Sequence, residues 1–261
     1  MIKLSKRLQK IANIIHPNVV VADIGSDHAM LPTYLLQSGK SQQVIAGELN
    51  QGPYYAAKKQ AASAGLTDKL LVRHGDGLNV IESGEVHTVA ISGMGGNLIT
   101  EILQEGFDKG KLNGVKQLVL QPNVTEYAIR DWLDRHKWFL VEEYILEEDG
   151  KVYEILHATV EHPEQLTYEE YRLQLYNSSF LNSSLSATEL EPILFKMGPY
   201  LIREAAPLLL EKWQQEIEKL NWICSQMTTS EQLEAQHKRK VFVQEKERLE
   251  EVLRCLSMDK R

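Results

Sequence analysis

The chain has 261 residues, 43% of them apolar and 25% charged, with a formal net charge of −7. That length can bury a real core as one large or two modest domains, and the composition is that of an ordinary soluble protein. No run approaches the roughly 20 apolar residues of a membrane span. The basic start (Lys3, Lys6, Arg7, Lys10) is followed by no signal-type cleavage pattern, so a cytoplasmic chain without membrane contact is expected. Its two cysteines, Cys224 and Cys255, fall inside helical patterns and read as reduced, packed thiols. Cys-x-x-Cys and His-x-x-x-His pairs are absent, so no metal site is expected. The acidic balance argues against nucleic acid, but basic residues cluster in Met1–Ile15 and again at His237-Lys238-Arg239-Lys240. A solvated helix face explains either cluster equally well.

Leu4, Leu8, Ile11, Ala12 and Ile15 recur at helical spacing, so an amphipathic helix comes first. Strand and helix patterns then alternate. Val19–Ile24 is a strand, and Ala29–Gln37 a helix stopped by Gly39. Gln43–Leu49 is a second strand, and the next helix starts near Pro53 and ends at Gly65. Leu70–Arg73, Val86–Ile91 and Val115–Leu120 are further strands, with Leu98–Gln104 and Val124–His136 helical. Phe139–Leu146 and Val152–Val160 flank Asp149-Gly150, a strong hairpin signal, and a helix between them is missing or lies in the turn. Five β-α repeats and a hairpin predict an α/β fold: a doubly wound parallel sheet with an antiparallel edge hairpin. From His162-Pro163 the strand patterns stop, which divides the chain into 1–161 and 162–261. Asn177–Thr188 reads as a loop or broken helix. Trp213, Ile217, Leu220, Cys224 and Met227 mark one long helix, and Ala235, Phe242, Leu249 and Leu256 mark another after Thr228-Thr229-Ser230. An antiparallel helical coiled coil is the expectation for this part.

Three strand ends together describe a ligand. In Asp23-Ile24-Gly25-Ser26-Asp27-His28, Gly25 admits a close backbone approach, and Asp27 with the amides beside it can hold the ammonium and carboxylate of a zwitterion. A dinucleotide fingerprint needs a glycine where Asp27 stands, and that carboxylate repels a pyrophosphate. Glu48 ends the second strand about twenty residues past the glycine turn, placed to accept from two ribose hydroxyls. Gly75-Asp76-Gly77 follows the third strand, where the acid can take an exocyclic amine. Any of these alone is an ordinary turn or surface acid; in this strand order they favour an adenosine site. Gly93-Met94-Gly95-Gly96 leaves an uncrowded floor for a planar substrate. The amides of Gln121-Pro122-Asn123 suit a base edge, with a plain loop and an Asn123 N-cap the alternative.

Taken together, Leu4-Ser-Lys-Arg-Leu8, Asp23–Ala29, Gly47-Glu48 with Gly52-Pro53, Gly75–Leu78, Gly93–Gly96, Leu120–Asn123 and Glu148–Glu154 resemble the bacterial tRNA (adenine-22-N1)-methyltransferase family. Gly198-Pro-Tyr-Leu201 and Trp213 extend the likeness into the second part. Met30 departs from the pattern where an aromatic residue is expected. The resemblance implies a class I methyltransferase domain, a C-terminal coiled coil, no metal, S-adenosyl-L-methionine (SAM) as methyl donor and tRNA as substrate. No obligate protein partner is evident. It places the cofactor against Arg7, Asp23, Gly25, Ser26 and Asp27, then Glu48 and Leu49, Asp76 and Gly77, and Gly93 and Met94. Arg7 would meet the cofactor carboxylate or an RNA phosphate. The substrate would meet Gly95, Gly96, Gln121, Pro122 and Asn123, with Lys238, Arg239 and Lys240 on the tRNA. Asp27, and secondarily His28, are the candidate catalytic groups, and Asp27 equally suits a role confined to orienting the cofactor. A non-catalytic cofactor-binding module that docks a protein, or a methyltransferase for a small molecule or protein, remain open alternatives.

Overall fold

The computed structural model describes residues 1–227 and 233–258. The polar break at Thr228-Thr229-Ser230 therefore lies outside the described residues, as does the side chain of Ala235. The chain divides into two compact units, Met1–Thr167 and Tyr168–Arg261.

The first unit is built on a seven-stranded sheet in the order β3-β2-β1-β4-β5-β7-β6. Helix α1 (Lys6–Ile14) opens it, with Ser5 Oγ accepting from the Leu8 amide at 3.3 Å and Ile11, Ala12 and Ile15 buried. Strands β1 (Val21–Ile24), β2 (Val44–Glu48) and β5 (Gln117–Pro122) are buried along their whole length, as parallel strands covered on both faces must be. Strands β3 (Leu70–His74) and β4 (Thr88–Met94) complete the parallel part. Helices α2 (Met30–Gln37), α3 (Gln51–Ser63), α4 (Gly96–Asp108) and α5 (Glu126–Arg135) link or follow these strands, with a 3₁₀ turn at Gly77–Val80.

Strands β6 (Phe139–Glu148) and β7 (Lys151–Thr159) form the hairpin. Its turn residues Asp149 and Gly150 have φ of 51° and 71°, the pair of left-handed conformations that a two-residue type I′ turn requires. The returning strand β7 inserts antiparallel beside β5, so the antiparallel strand lies one in from the edge and β6 ends the sheet. Arg130 of α5 fastens this hairpin. Its guanidinium pairs with Glu143 of β6 at 2.6 Å and with Glu154 of β7, and all three side chains have no exposure. Burial disfavours the charged guanidinium, but the two carboxylates outweigh it and hold its pKa above the ordinary value.

The second unit is helical: α6 (Tyr168–Leu175), α7 (Ala187–Met197), α8 (Pro199–Glu204), α9 (Pro207–Gln226) and α10 (Leu233–Met258). The expected loop over Asn177–Thr188 holds as far as Ser186, where a capping box with Glu189 starts α7. Helices α9 and α10 pack antiparallel: Arg239 Nε donates to the Cys224 carbonyl at 3.2 Å, while Leu210 and Leu253 line one groove at the other end. Trp213, Ile217, Cys224, Leu249, Val252 and Leu256 are buried.

Candidate active site

The register pairs Ile24 with Gly47 on one side and with Ile91 on the other, so β1, β2 and β4 finish on one rim. Chain order reverses between β1 and β4, and crevices at such a switch point are where open α/β sheets bind ligands. Asp23, Gly25, Ser26, Asp27, His28, Glu48, Leu49, Asp76, Gly77, Gly93 and Met94 all lie on or next to this rim, at the ends of β1 to β4.

Two acids there are withdrawn from water. Asp23 is 2% exposed and accepts from Ser26 Oγ at 2.7 Å. Its burial, with the nearby charge of Glu48 adding to the effect, pushes its pKa up to about 7 despite that bond. Glu48 is 5% exposed, and burial raises its pKa as well, against the amides of Asp27 and Ser26 that face it. Its Oε1 is buried without a hydrogen-bond partner. A stranded carboxylate oxygen at the end of β2 fits a pair of ribose hydroxyls, and two buried acids side by side favour a cationic ligand.

Past the acids, the β1 loop is open. Asp27 and His28 are 83% and 65% exposed, 3.4 Å apart, and with Ala29 they form a left-handed run. Asp76 is exposed just before the 3₁₀ turn, whose last residue, Val80, accepts at its carbonyl from Arg73, which also forks onto Glu85. Leu49 is 55% exposed beside Glu48.

Other expectations need correcting. Gly25 has φ of 70°, and a Cβ there would fall 2.1 Å from Met94 Cε. That positive φ makes the turn demand a glycine, and the end of the Met94 side chain occupies the space beside it. Gly96 is buried, with Thr125 O 2.1 Å from where its Cβ would stand; it is a packing glycine and not part of an open floor. Gln121 and Pro122 are buried, and both ends of the Gln121 amide are bonded inside the protein, so neither side chain can read a base edge. Asn123 is exposed but does not cap α5; that position is Thr125, at φ 64°. Arg7 meets Gln121, Glu148 and the Tyr153 ring at 5.1 Å, and its buried Nε is left without a hydrogen-bond partner. Glu148 and Tyr153 were missed as its partners because hairpin and helix are far apart in sequence. Val124 and Tyr127, 60% and 49% exposed just past Asn123, were also passed over. Lys238, Arg239 and Lys240 are exposed on α10, in the second unit. Among the described residues, no cluster of three or more His, Cys, Asp or Glu could hold a metal ion, and no helix is long and apolar enough to cross a membrane.

The family model for tRNA (adenine(22)-N(1))-methyltransferase matches residues 21–251. The chain belongs to this family. It is 41% identical over 240 residues to the tRNA (adenine(22)-N(1))-methyltransferase of Bacillus subtilis, covering 92% of each chain. The crystal structure of the B. subtilis m1A22 tRNA methyltransferase TrmK superposes with a TM-score of 0.83 at 39% identity, over 97% of this chain and 100% of that one. That of Streptococcus pneumoniae Sp1610 in complex with SAM does so at 0.76 and 37% identity, over 96% of this chain and 100% of that one.

Proposed function

We propose that this protein is a SAM-dependent enzyme that methylates N1 of an adenine, at position 22, in tRNA. Family membership sets the reaction class, and the observation that carries the cofactor assignment is the unpartnered Glu48 oxygen on the switch-point rim. On this reading Glu48 holds the ribose hydroxyls, Asp76 the exocyclic amine, and the Asp23–Ser26 turn the methionine end. When bound, SAM supplies an activated methyl group. Adenine N1 offers an in-plane lone pair at neutral pH, so no strong base is needed and the enzyme's work is positioning and exclusion of water. The target base must leave its helix to reach the rim. Methylation makes the ring cationic, and the exposed Asp27 carboxylate, with His28 beside it, is placed to offset that charge. Gly95 and Asn123 border the acceptor's approach, and Lys238, Arg239 and Lys240 meet tRNA phosphates. We assign the activity to the cytoplasm, with tRNA as the partner and no obligate protein partner.

Incubation of the protein with radiolabelled SAM and, separately, tRNA, protein and metabolite pools tests the reading. Label is expected in tRNA alone, with a reverse-transcription stop at the modified adenine, because N1 methylation blocks Watson–Crick pairing. Label in protein or metabolites only, or in none of the pools, overturns it.

A further inference from the structure

Gln121 is a buried amide whose orientation leaves no choice. On one side stand Arg7 Nη1 and, at 3.1 Å, the Gly93 amide, both of which can only donate. The atom facing them must be Oε1, and Nε2 therefore points the other way, to the Pro122 carbonyl at 2.6 Å and Asn123 Oδ1 at 3.3 Å. That in turn orients Asn123, whose Nδ2 donates to the Gly93 carbonyl at 2.7 Å. The chain of forced orientations closes on one peptide unit, since Gly93 is held through both its N–H and its C=O.

Gly93 is where β4 bulges. The pairing with β5 shifts between Ser92 and Met94, and Gly93 has φ of 79°. The next residue, Met94, lays its side chain over Gly25 in the β1 turn. At the far end of the relay, Arg7 is anchored on the hairpin: its backbone amide donates to Glu148 Oε1 at 3.3 Å, Nε lies 3.8 Å from Glu148 Oε2, and the guanidinium covers the Tyr153 ring.

We propose that Arg7 is a positioning residue for methyl transfer: through Gln121 and Asn123 it fixes the Gly93 bulge, and with it Met94, at the junction of the cofactor turn and the acceptor rim. This differs from a direct contact between Arg7 and cofactor or RNA, and it rests on the proposed tRNA methylation only for its kinetic consequence. Helix α1 and the β6–β7 hairpin, remote from the rim in sequence, thereby help shape the site.

The test uses full-length protein and two readouts. In ¹⁵N-labelled protein, Arg7→Met is expected to shift the side-chain amide signals of Gln121 and Asn123 and speed their hydrogen exchange, while the Gln104 amide in α4 stays in place. In steady-state assays on tRNA, Arg7→Met lowers kcat by roughly ten- to a hundredfold, the scale of a misplaced reacting group, with the Kd for SAM within about twofold of wild type. Arg7→Lys, which retains a donor for Oε1, restores most of the loss. Gln121→Glu keeps a partner for Arg7 but offers no donor to Asn123, and falls as far as Arg7→Met. Unshifted Gln121 and Asn123 amides in Arg7→Met overturn the proposal, as does a Kd for SAM that rises in step with the loss of activity. A wild-type protein that transfers no methyl to tRNA removes the proposed reaction, while the amide signals still decide the relay.

Discussion

Asp23 and Glu48 place two carboxylates out of water at the ends of neighbouring strands, and the consequence for stability has a definite sign. Asp23 titrates at 3.8 when exposed and at about 7 in the fold, chiefly through burial. Below 3.8 it is protonated in both states and costs nothing. Between 3.8 and about 7 the unfolded chain ionises first, so stability drains away as pH rises, and above about 7 the whole penalty is present. That penalty is at most about 4 kcal/mol. Asp23→Asn, which still accepts from Ser26, should therefore melt with the wild type near pH 4 and progressively above it toward pH 8; a difference that does not vary with pH rules out burial as the cause. Glu48→Ala should weaken SAM binding by about 1.5–3 kcal/mol in calorimetry, and unchanged affinity removes the ribose assignment. The positions of both acids were legible because each interrupts an apolar strand at its end; their burial was not, since it depends on the neighbouring strand and turn. Gln121 was not. Beside Pro122 and Asn123 it looks like a polar loop residue, and only the arrival of Arg7 from α1 and Gly93 from β4 shows that its amide faces inward.

At the scale of elements, β1, β2 and β5 were readable because burial on both faces forces continuous apolar runs, and the hairpin because Asp149-Gly150 suits one turn type. The bulge at Gly93 was not, since a shift in pairing depends on two strands and one sequence window shows only one. Helix α7 could have been found from Ser186 and Glu189, which cap it reciprocally, but the serines and asparagines before it pulled the reading toward loop. The joint between α5 and the hairpin yields a prediction. Arg130→Met leaves Glu143 and Glu154 without their buried guanidinium and should cost about 3–5 kcal/mol, read as a lower denaturation midpoint. Replacing all three with apolar residues of similar volume should recover much of that loss. A single substitution that leaves the midpoint unmoved would mean water reaches the triad.

For the whole molecule, the loss of strand periodicity after His162-Pro163 put the division at 161/162, whereas the compact units are Met1–Thr167 and Tyr168–Arg261. The helical unit carries a surface that charge alone can test. Neutralising Lys238, Arg239 and Lys240 together should lower the salt dependence of tRNA binding by up to about 2.7 in the logarithmic slope, at ~0.9 per phosphate contact. A slope that does not change would place the RNA elsewhere. Arg239 is expected to contribute least, because its Nε already serves the Cys224 carbonyl.

The Arg130 triad has one more consequence, for how β6 finds its place as the last strand of the sheet. Side chains alternate between the two faces of a strand, so a slip of one residue would turn Glu143 outward and bring Glu142 or Tyr144 inward. In the observed alignment it is Glu143 that meets the guanidinium from β6. A terminal strand with an ionic key that fits one alignment is hard to mispair, either with its own neighbour or with a strand borrowed from another copy during synthesis.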